Sequence, residues 1–171
     1  MGRPPVRVAR LFVSAFAALG VLAYAAAAVV TLADVVGRRF GVAVPGVVDL
    51  VQLFVLAGAW LVIPYAFMVR GHVSVDLLTE RLTVRGRSLV EAAGALVAIA
   101  VLAPATWKAW ETLELQMRFG DRSQQLGIPM VWYWAPLIFG MALSVVVAAA
   151  LLVVALRRVA TAGVGRGGPP A

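Results

Sequence analysis

The sequence predicts an all-α integral membrane protein with four transmembrane helices, short interfacial helices and both termini in the cytoplasm. Of its 171 residues, 63% are hydrophobic and only 13% are charged, whereas soluble domains carry about 25% charged residues. The apolar residues form four continuous runs, each near the roughly 20 residues that a helix needs to cross about 30 Å of hydrocarbon. Because the runs are continuous rather than alternating, helices are favoured over a β-barrel.

Charged residues bound the four runs, in chain order Arg10 and Asp34, Asp49 and Arg70, Arg87 and Lys108, and Arg122 and Arg157. A Pro45-Gly46 turn signal precedes the second run. The third run is rich in alanine, and Glu91 is the one charged residue inside it. We expect one membrane domain over residues 1–160, with spans at 11–33, 47–69, 89–107 and 130–156. The Gly/Pro-rich tail, residues 161–171, is expected to be disordered.

The basic residues orient the spans. Ten of the 15 fall on the side of the two tails and the second connection: Arg3, Arg7, Arg10, Arg70, Arg81, Arg85, Arg87, Arg157, Arg158 and Arg166. The other side has Arg38, Arg39, Lys108, Arg118 and Arg122. The positive-inside rule therefore places both termini in the cytoplasm, and the tryptophans near the third and fourth spans contribute to an outer aromatic belt.

The first span has an alternative interpretation. Its arginine-rich start, the apolar stretch Leu11–Leu22 and the following Ala23-Tyr24-Ala25 are also typical of a cleavable signal peptide. The apolar run continues to Leu32, which is long for a signal sequence and suits a membrane anchor. We therefore expect an anchor.

Three connecting segments carry local signals. In RGHVSVDLL, Val75 and Leu78 recur with Leu82 at helical spacing, which predicts a short helix in the inner interface. Ser88 and Glu91 match a capping box at the start of span three. Beyond Trp107 the third helix is expected to continue, with a Glu114–Arg118 pair at i, i+4 and a stop at Gly120.

The prolines within the spans, Pro64, Pro104 and Pro136, are expected to bend their helices.

Few residues suit catalysis, metal binding or ion relay. The chain has no cysteine and a single histidine, His72, which argues against thiolate chemistry, bis-histidine haem and zinc. Asp34, Asp49 and Glu91 lie near the ends of the runs, where water or headgroups are expected to reach them, rather than deep in the bilayer. Asp49 complements the dipole of the second helix, with pairing to Arg38 or Arg39, or to a partner subunit, as a compatible role.

Three stretches together resemble a known family. They are DVVGRRFGVAVPGVVDLVQLFVLAGAW, RGHVSVDLLTERL and LGIPMVWYWAPLIFGMALSVV, in residues 34–60, 70–82 and 126–146. In order, spacing and total length the chain is similar to the small membrane subunit of tripartite ATP-independent periplasmic (TRAP) transporters, the DctQ-like family. The family often has two acids at the start of span two, where this chain has Val48-Asp49.

The resemblance implies a bacterial inner-membrane scaffold. It would hold a large membrane subunit that binds sodium and substrate and moves as an elevator, and a periplasmic binding protein would deliver an organic acid or similar solute. No catalytic, cofactor or metal residue is expected. Partner-interface or structural roles are expected for Arg38, Asp49, Gln52, Trp60, Gly71, His72, Asp76, Gly127, Pro129, Trp132 and Tyr133. For His72 and Asp76 we expect roles in assembly or insertion.

Two other functions stay open on the sequence alone. One is a self-sufficient small transporter or channel that works as an oligomer. The other is a membrane anchor of a redox enzyme, against which the single histidine speaks.

Overall fold

The computed structural model describes residues 4–79 and 84–164, and the side chains of residues 10–69 and 86–160. It contains four α-helices: α1 (Pro4–Arg39), α2 (Val47–Thr79), α3 (Val84–Phe119) and α4 (Val131–Val164). Each contains a segment long and apolar enough to cross a membrane, namely Arg10–Arg39, Val47–Val69, Gly86–Phe119 and Val131–Ala160. The four predicted spans are thus confirmed as four long apolar helices.

The helices lie in the spatial order α1, α2, α4, α3. Helix α2 packs along both α1 and α4, while α3 packs along α4 and only sparingly against α2. Helix α1 reaches α4 through an aromatic contact, Phe16 against Phe139 with ring centroids 4.7 Å apart. Helices α1 and α3 therefore form the two edges of the molecule.

Two connections lie at the same end of the helices, residues 40–46 between α1 and α2 and residues 120–130 between α3 and α4. We call this the loop end and the opposite end, which holds the N-terminus of α1, the tail end. Because the hairpin α1–α2 and the hairpin α3–α4 both turn here, α2 and α4 run parallel to each other, and each antiparallel to its hairpin partner.

Glycines lie at two close helix crossings. Gly20 of α1 faces Gly58 of α2, and a Cβ added to Gly58 would lie 3.0 Å from the Gly20 carbonyl oxygen. Gly140 of α4 packs against the backbone of Trp60 in α2. Small residues at such crossings let helix backbones approach closely in lipid. Gly58 is therefore used for packing within the chain.

Two helix boundaries differ from expectation. Helix α2 continues without a break to Thr79, so the described part of the predicted interfacial segment is a continuation of α2 rather than a separate helix; residues 80–83 lie outside the described residues. Helix α3 begins at Val84, so Ser88 is inside the helix and buried, and the predicted capping box is wrong. One glycine in a first turn costs only about 1 kcal/mol, which packing of α3 on α4 offsets.

The extension of α3 beyond Trp107 is confirmed. The helix ends at Phe119, and the N–H groups of Gly120 and Asp121 donate to the carbonyls of Met117 and Gln116 at 3.2 and 3.0 Å. This is the Schellman pattern, which satisfies carbonyls at a helix end. The expected Glu114–Arg118 ion pair is also present. Helix α4 reaches Val164, and residues 165–171 of the expected tail lie outside the described residues.

Candidate functional site

The described polar side chains concentrate at the loop end, where two buried aspartates hold the two connections. Asp34 is in the last turns of α1 and Asp49 in the first turn of α2, and they are only 7% and 5% exposed. The sequence placed both carboxylates within reach of water or headgroups. The structure corrects this, because each carboxylate is enclosed by the backbone that it binds.

Asp34 binds the α1–α2 connection. One of its carboxylate oxygens accepts a hydrogen bond from the N–H of Val44 at 3.1 Å, and the other accepts from Nε of Arg38 at 2.8 Å. Pairing of Asp49 with Arg38 or Arg39 was compatible with the sequence, but Arg38 pairs with Asp34, one helical turn away on α1. Since Arg38 is 63% exposed, the buried part of this interaction is the bond to Val44.

Asp49 binds the α3–α4 connection. Its Oδ2 accepts from the N–H of Gln125 at 3.0 Å and of Leu126 at 2.7 Å, and the Ser123 side chain also interacts with it. The hydroxyl of Tyr133 in α4 donates to the backbone oxygen of Asp49 at 3.0 Å. Together Asp49, Ser123, Gln125, Leu126 and Tyr133 form what we call the Asp49 latch, which ties α2 to α4 and to the loop between α3 and α4.

The loop that Asp49 binds is itself ordered by short hydrogen bonds. The N–H of Ser123 donates to the carbonyl of Ile128, and the N–H of Ile128 donates back to Oγ of Ser123, both at 2.9 Å. Arg122 and Pro129 pair as an isolated antiparallel bridge. Arg122 also donates to the carbonyl of Gly127 at 3.2 Å. Gly127 and Pro129 are thus structural parts of this loop.

Gly46 lets the two connections touch. It has φ of +72°, which other residues rarely adopt, and the Leu126 side chain lies so close that a Cβ would collide with it. Its carbonyl accepts the first helical bond of α2, from the N–H of Leu50 at 3.1 Å. The turn predicted from Pro45-Gly46 is therefore also the surface against which the Leu126 side chain packs.

A family model decides the relationship of the chain to known proteins. The model for the DctQ component of tripartite ATP-independent periplasmic transporters matches residues 27–158, well over half of the chain. The chain belongs to the DctQ family. No curated protein and no solved structure matches it significantly. The matched range includes both loop-end aspartates, the Asp49 latch, the whole of α2 and α3, the last part of α1 and most of α4.

Membership in the DctQ family fixes the class of function. The chain is a transporter component and not an enzyme, and it is a multi-pass inner-membrane protein. Among the described residues no group of three or more His, Asp or Glu side chains is arranged to hold a metal ion.

The remaining predicted residues of this DctQ chain lie in four places. Gln52 is exposed and lines an open groove at the loop end with Thr31, Asp34 and four valines of α2. Trp60 lies at the crossing of α2 with α4, and Trp132 is exposed at the start of α4. Gly71, His72 and Asp76 lie in the last turns of α2 toward the tail end, and their side chains lie outside the described ones.

A second polar contact ties α3 to α4 at the tail end. Glu91 of α3 accepts from Arg158 of α4 at 3.3 Å and lies 3.5 Å from Arg87 one turn earlier. At the loop end the same two helices are tied by the indole N–H of Trp134, which donates to Oε1 of Gln116 at 2.5 Å. The sequence analysis did not predict structural roles for Asp34, Ser123, Gln116 and Trp134. The i, i+4 spacing of Asp34 and Arg38 could have indicated their ion pair.

Proposed function

We propose that this chain is the small, non-catalytic membrane subunit of a sodium-coupled TRAP transporter that imports an organic acid or similar solute. It braces a large membrane subunit, which carries the sodium and solute sites, and a periplasmic binding protein supplies the solute. Membership in the DctQ family supports association with these two partners. Both tails are on the cytoplasmic side, where the positive-inside rule puts ten of the 15 basic residues.

The observation that carries the scaffold role is the use of the buried carboxylates. A solute or ion pathway needs polar groups that remain available to bind the cargo. Asp34 and Asp49 instead bind backbone N–H groups of this chain's own loops. No buried side-chain nitrogen or oxygen among the described residues lacks a hydrogen-bond partner.

The groove at the loop end also fits a scaffold better than a pathway. It is open to the surface and has a volume of about 420 Å³. Its lining is mostly valine from α2, with Thr31, Asp34 and Gln52 as the polar members. Asp34 already binds Arg38 and Val44 there.

Reconstitution tests the proposal. The chain, the large subunit encoded with it and the binding protein are purified separately and combined in liposomes with a sodium gradient. We expect co-purification of the two membrane proteins, and uptake only when all three are present. Sodium-driven uptake by this chain alone would contradict the scaffold role and support the self-sufficient oligomer. A chain that never co-purifies with a large membrane protein would contradict the partnership.

Reporter fusions test the orientation separately. A cytoplasm-active reporter is expected to work at both termini, and a periplasm-active reporter is expected to work in the loops at residues 40–46 and 120–130. Termini on opposite sides would contradict a four-span topology.

A further inference from the structure

An exposed charged group interrupts the apolar surface of α3. Nζ of Lys108 lies 2.6 Å from Oε2 of Glu111, and the indole N–H of Trp107 donates to Oε1 of Glu111 at 2.6 Å. The side chains of Lys108 and Glu111 are 75% and 47% exposed. Each carboxylate oxygen of Glu111 therefore already accepts one hydrogen bond, and Lys108 has further donors available.

The two polar ties between α3 and α4 give the depth of this group. On α4, Trp134 and Arg158 are 24 residues apart, about 36 Å at 1.5 Å per residue, which exceeds the roughly 30 Å of hydrocarbon. On α3 the corresponding residues are Gln116 and Glu91. Lys108 is eight residues inward of Gln116, about 12 Å, and Glu111 about 8 Å. The charged group therefore lies level with the apolar part of α4 and inside the long apolar segment Gly86–Phe119, although the sequence predicted that the third span ends at residue 107.

Charges at this depth are costly in contact with lipid and usually face protein or water. The opposite edge of the molecule has the uncharged surface that contact with lipid favours. Helix α1 has no charged residue between Arg10 and Asp34, and its exposed side chains there include Leu19, Leu22 and Val29. The α3 edge thus exposes charged side chains at this depth, whereas the α1 edge does not.

The same face of α3 also offers room for another helix. Gly94, Val97, Val101, Pro104, Lys108 and Glu111 recur every three or four residues and form one exposed stripe, which we call the α3 seam. A Cβ built on Gly94 would meet nothing within 4 Å. Pro104 has no N–H to donate to the carbonyl of Ala100, and both residues are exposed. In α2 the equivalent carbonyl, that of Trp60, is covered by Gly140.

We propose that the α3 seam is the docking surface for a transmembrane helix of the large subunit, one that presents hydrogen-bond acceptors to Lys108. This inference rests on the proposed function and adds the face and the chemistry of contact. A second copy of this chain is the competing occupant, and homodimer adducts in the cross-linking experiment would identify it.

Site-specific photo-cross-linking tests the face in the complete transporter in native membranes. A benzophenone amino acid replaces Val101 on α3 or Leu22 on α1, which are 61% and 64% exposed. We expect an adduct with the large subunit from position 101 and none from position 22. Adducts from position 22 alone, homodimer adducts from position 101, or lipid adducts alone from position 101 would each overturn the docking face. If co-purification holds while position 101 gives no adduct, the face is wrong and the proposed function stands.

A paired substitution tests the chemistry. In Lys108→Leu/Glu111→Leu both charges are removed together, so that no unpaired charge is left in the membrane. We expect the variant to insert normally but to bind the large subunit at least about fivefold more weakly, the scale of one interhelical hydrogen bond. Glu114→Leu/Arg118→Leu, which removes an exposed pair nearer the loop end, is the control and should bind normally. Unchanged binding by the first variant, or equal weakening by both, would overturn the role of Lys108.

Discussion

Gly140 of α4 lies directly against the backbone carbonyl of Trp60 in α2. That carbonyl is the one that Pro64 leaves without a helical donor, because proline has no N–H. A glycine Cα–H group can approach a carbonyl oxygen and partly replace the missing bond. The proline in α2 and the close crossing with α4 therefore depend on each other. Pro64 is among the largest fully buried side chains.

Replacing Gly140 with alanine should separate α2 from α4. The new Cβ would collide with the Trp60 carbonyl, which as backbone cannot move aside, and overpacking of this kind costs about 1–3 kcal/mol. We expect a lower melting temperature for the isolated chain in detergent. Gly94→Ala is the matched control, because its Cβ meets nothing within 4 Å and alanine favours helix. Equal melting temperatures for the two variants would show that the crossing is loose.

Removing the carboxylate of Asp49 should release the α3–α4 connection while the helices persist. The amides of Gln125 and Leu126 lose their shared acceptor. We expect hydrogen exchange at the Leu126 amide to accelerate by roughly tenfold in Asp49→Ala, the scale of a lost hydrogen bond to a charged group. Asp121→Ala, an exposed acid in the same loop, is the control. Protection at Leu126 that survives in Asp49→Ala would contradict the latch.

Loss of the hydrogen bond between Trp134 and Gln116 should destabilise the chain more than the same substitution at the exposed Trp132. Trp134→Phe keeps most of the ring but loses the indole N–H that binds Gln116. We expect a loss of about 1 kcal/mol in stability, the usual net contribution of a hydrogen bond. Trp132→Phe, at an exposed tryptophan two residues earlier, should leave the isolated chain unchanged. The two are compared by denaturant titration in detergent, and a larger effect at Trp132 would contradict the assignment.

Asp34 and Arg38 should contribute unequally, although they form one ion pair. Arg38→Ala removes a largely exposed guanidinium, whose pairing contributes little. Asp34→Ala also removes the acceptor for the Val44 N–H. We therefore expect proteolysis within residues 40–46 to accelerate clearly in Asp34→Ala and hardly in Arg38→Ala. Equal acceleration would mean that the ion pair itself holds this connection.

The sequence predicted the four helices well because long apolar runs have few alternatives in a membrane protein. Local signals were also readable where they involve one turn of helix, as for Glu114 with Arg118 and for the stop at Gly120. The Ser88 capping box failed because helix α3 starts one turn earlier, at Val84. A capping-box pattern is compatible with a helix start at that position but does not prevent the helix from starting earlier.

The site was less predictable because its contacts are distant in sequence. Asp49 binds residues 76 and 77 positions away, and Tyr133 reaches back 84 positions to Asp49. Hydropathy carries no information about such pairs. The helix order is hidden for the same reason, so that the sequence could not show that Gly58 meets Gly20 or that Lys108 lies level with the apolar part of α4.

The spatial order of the helices has a consequence for biosynthesis. Since α2 and α3 scarcely touch while α4 packs between them, the first hairpin can be completed as soon as α2 emerges from the ribosome. Helix α3 then lacks its main packing partner within the chain until α4 has been synthesised, although the α3 seam is already in or near the translocation channel. Assembly of this polypeptide is thus finished by its final segment, and a chain truncated before α4 would leave α3 without its main neighbour.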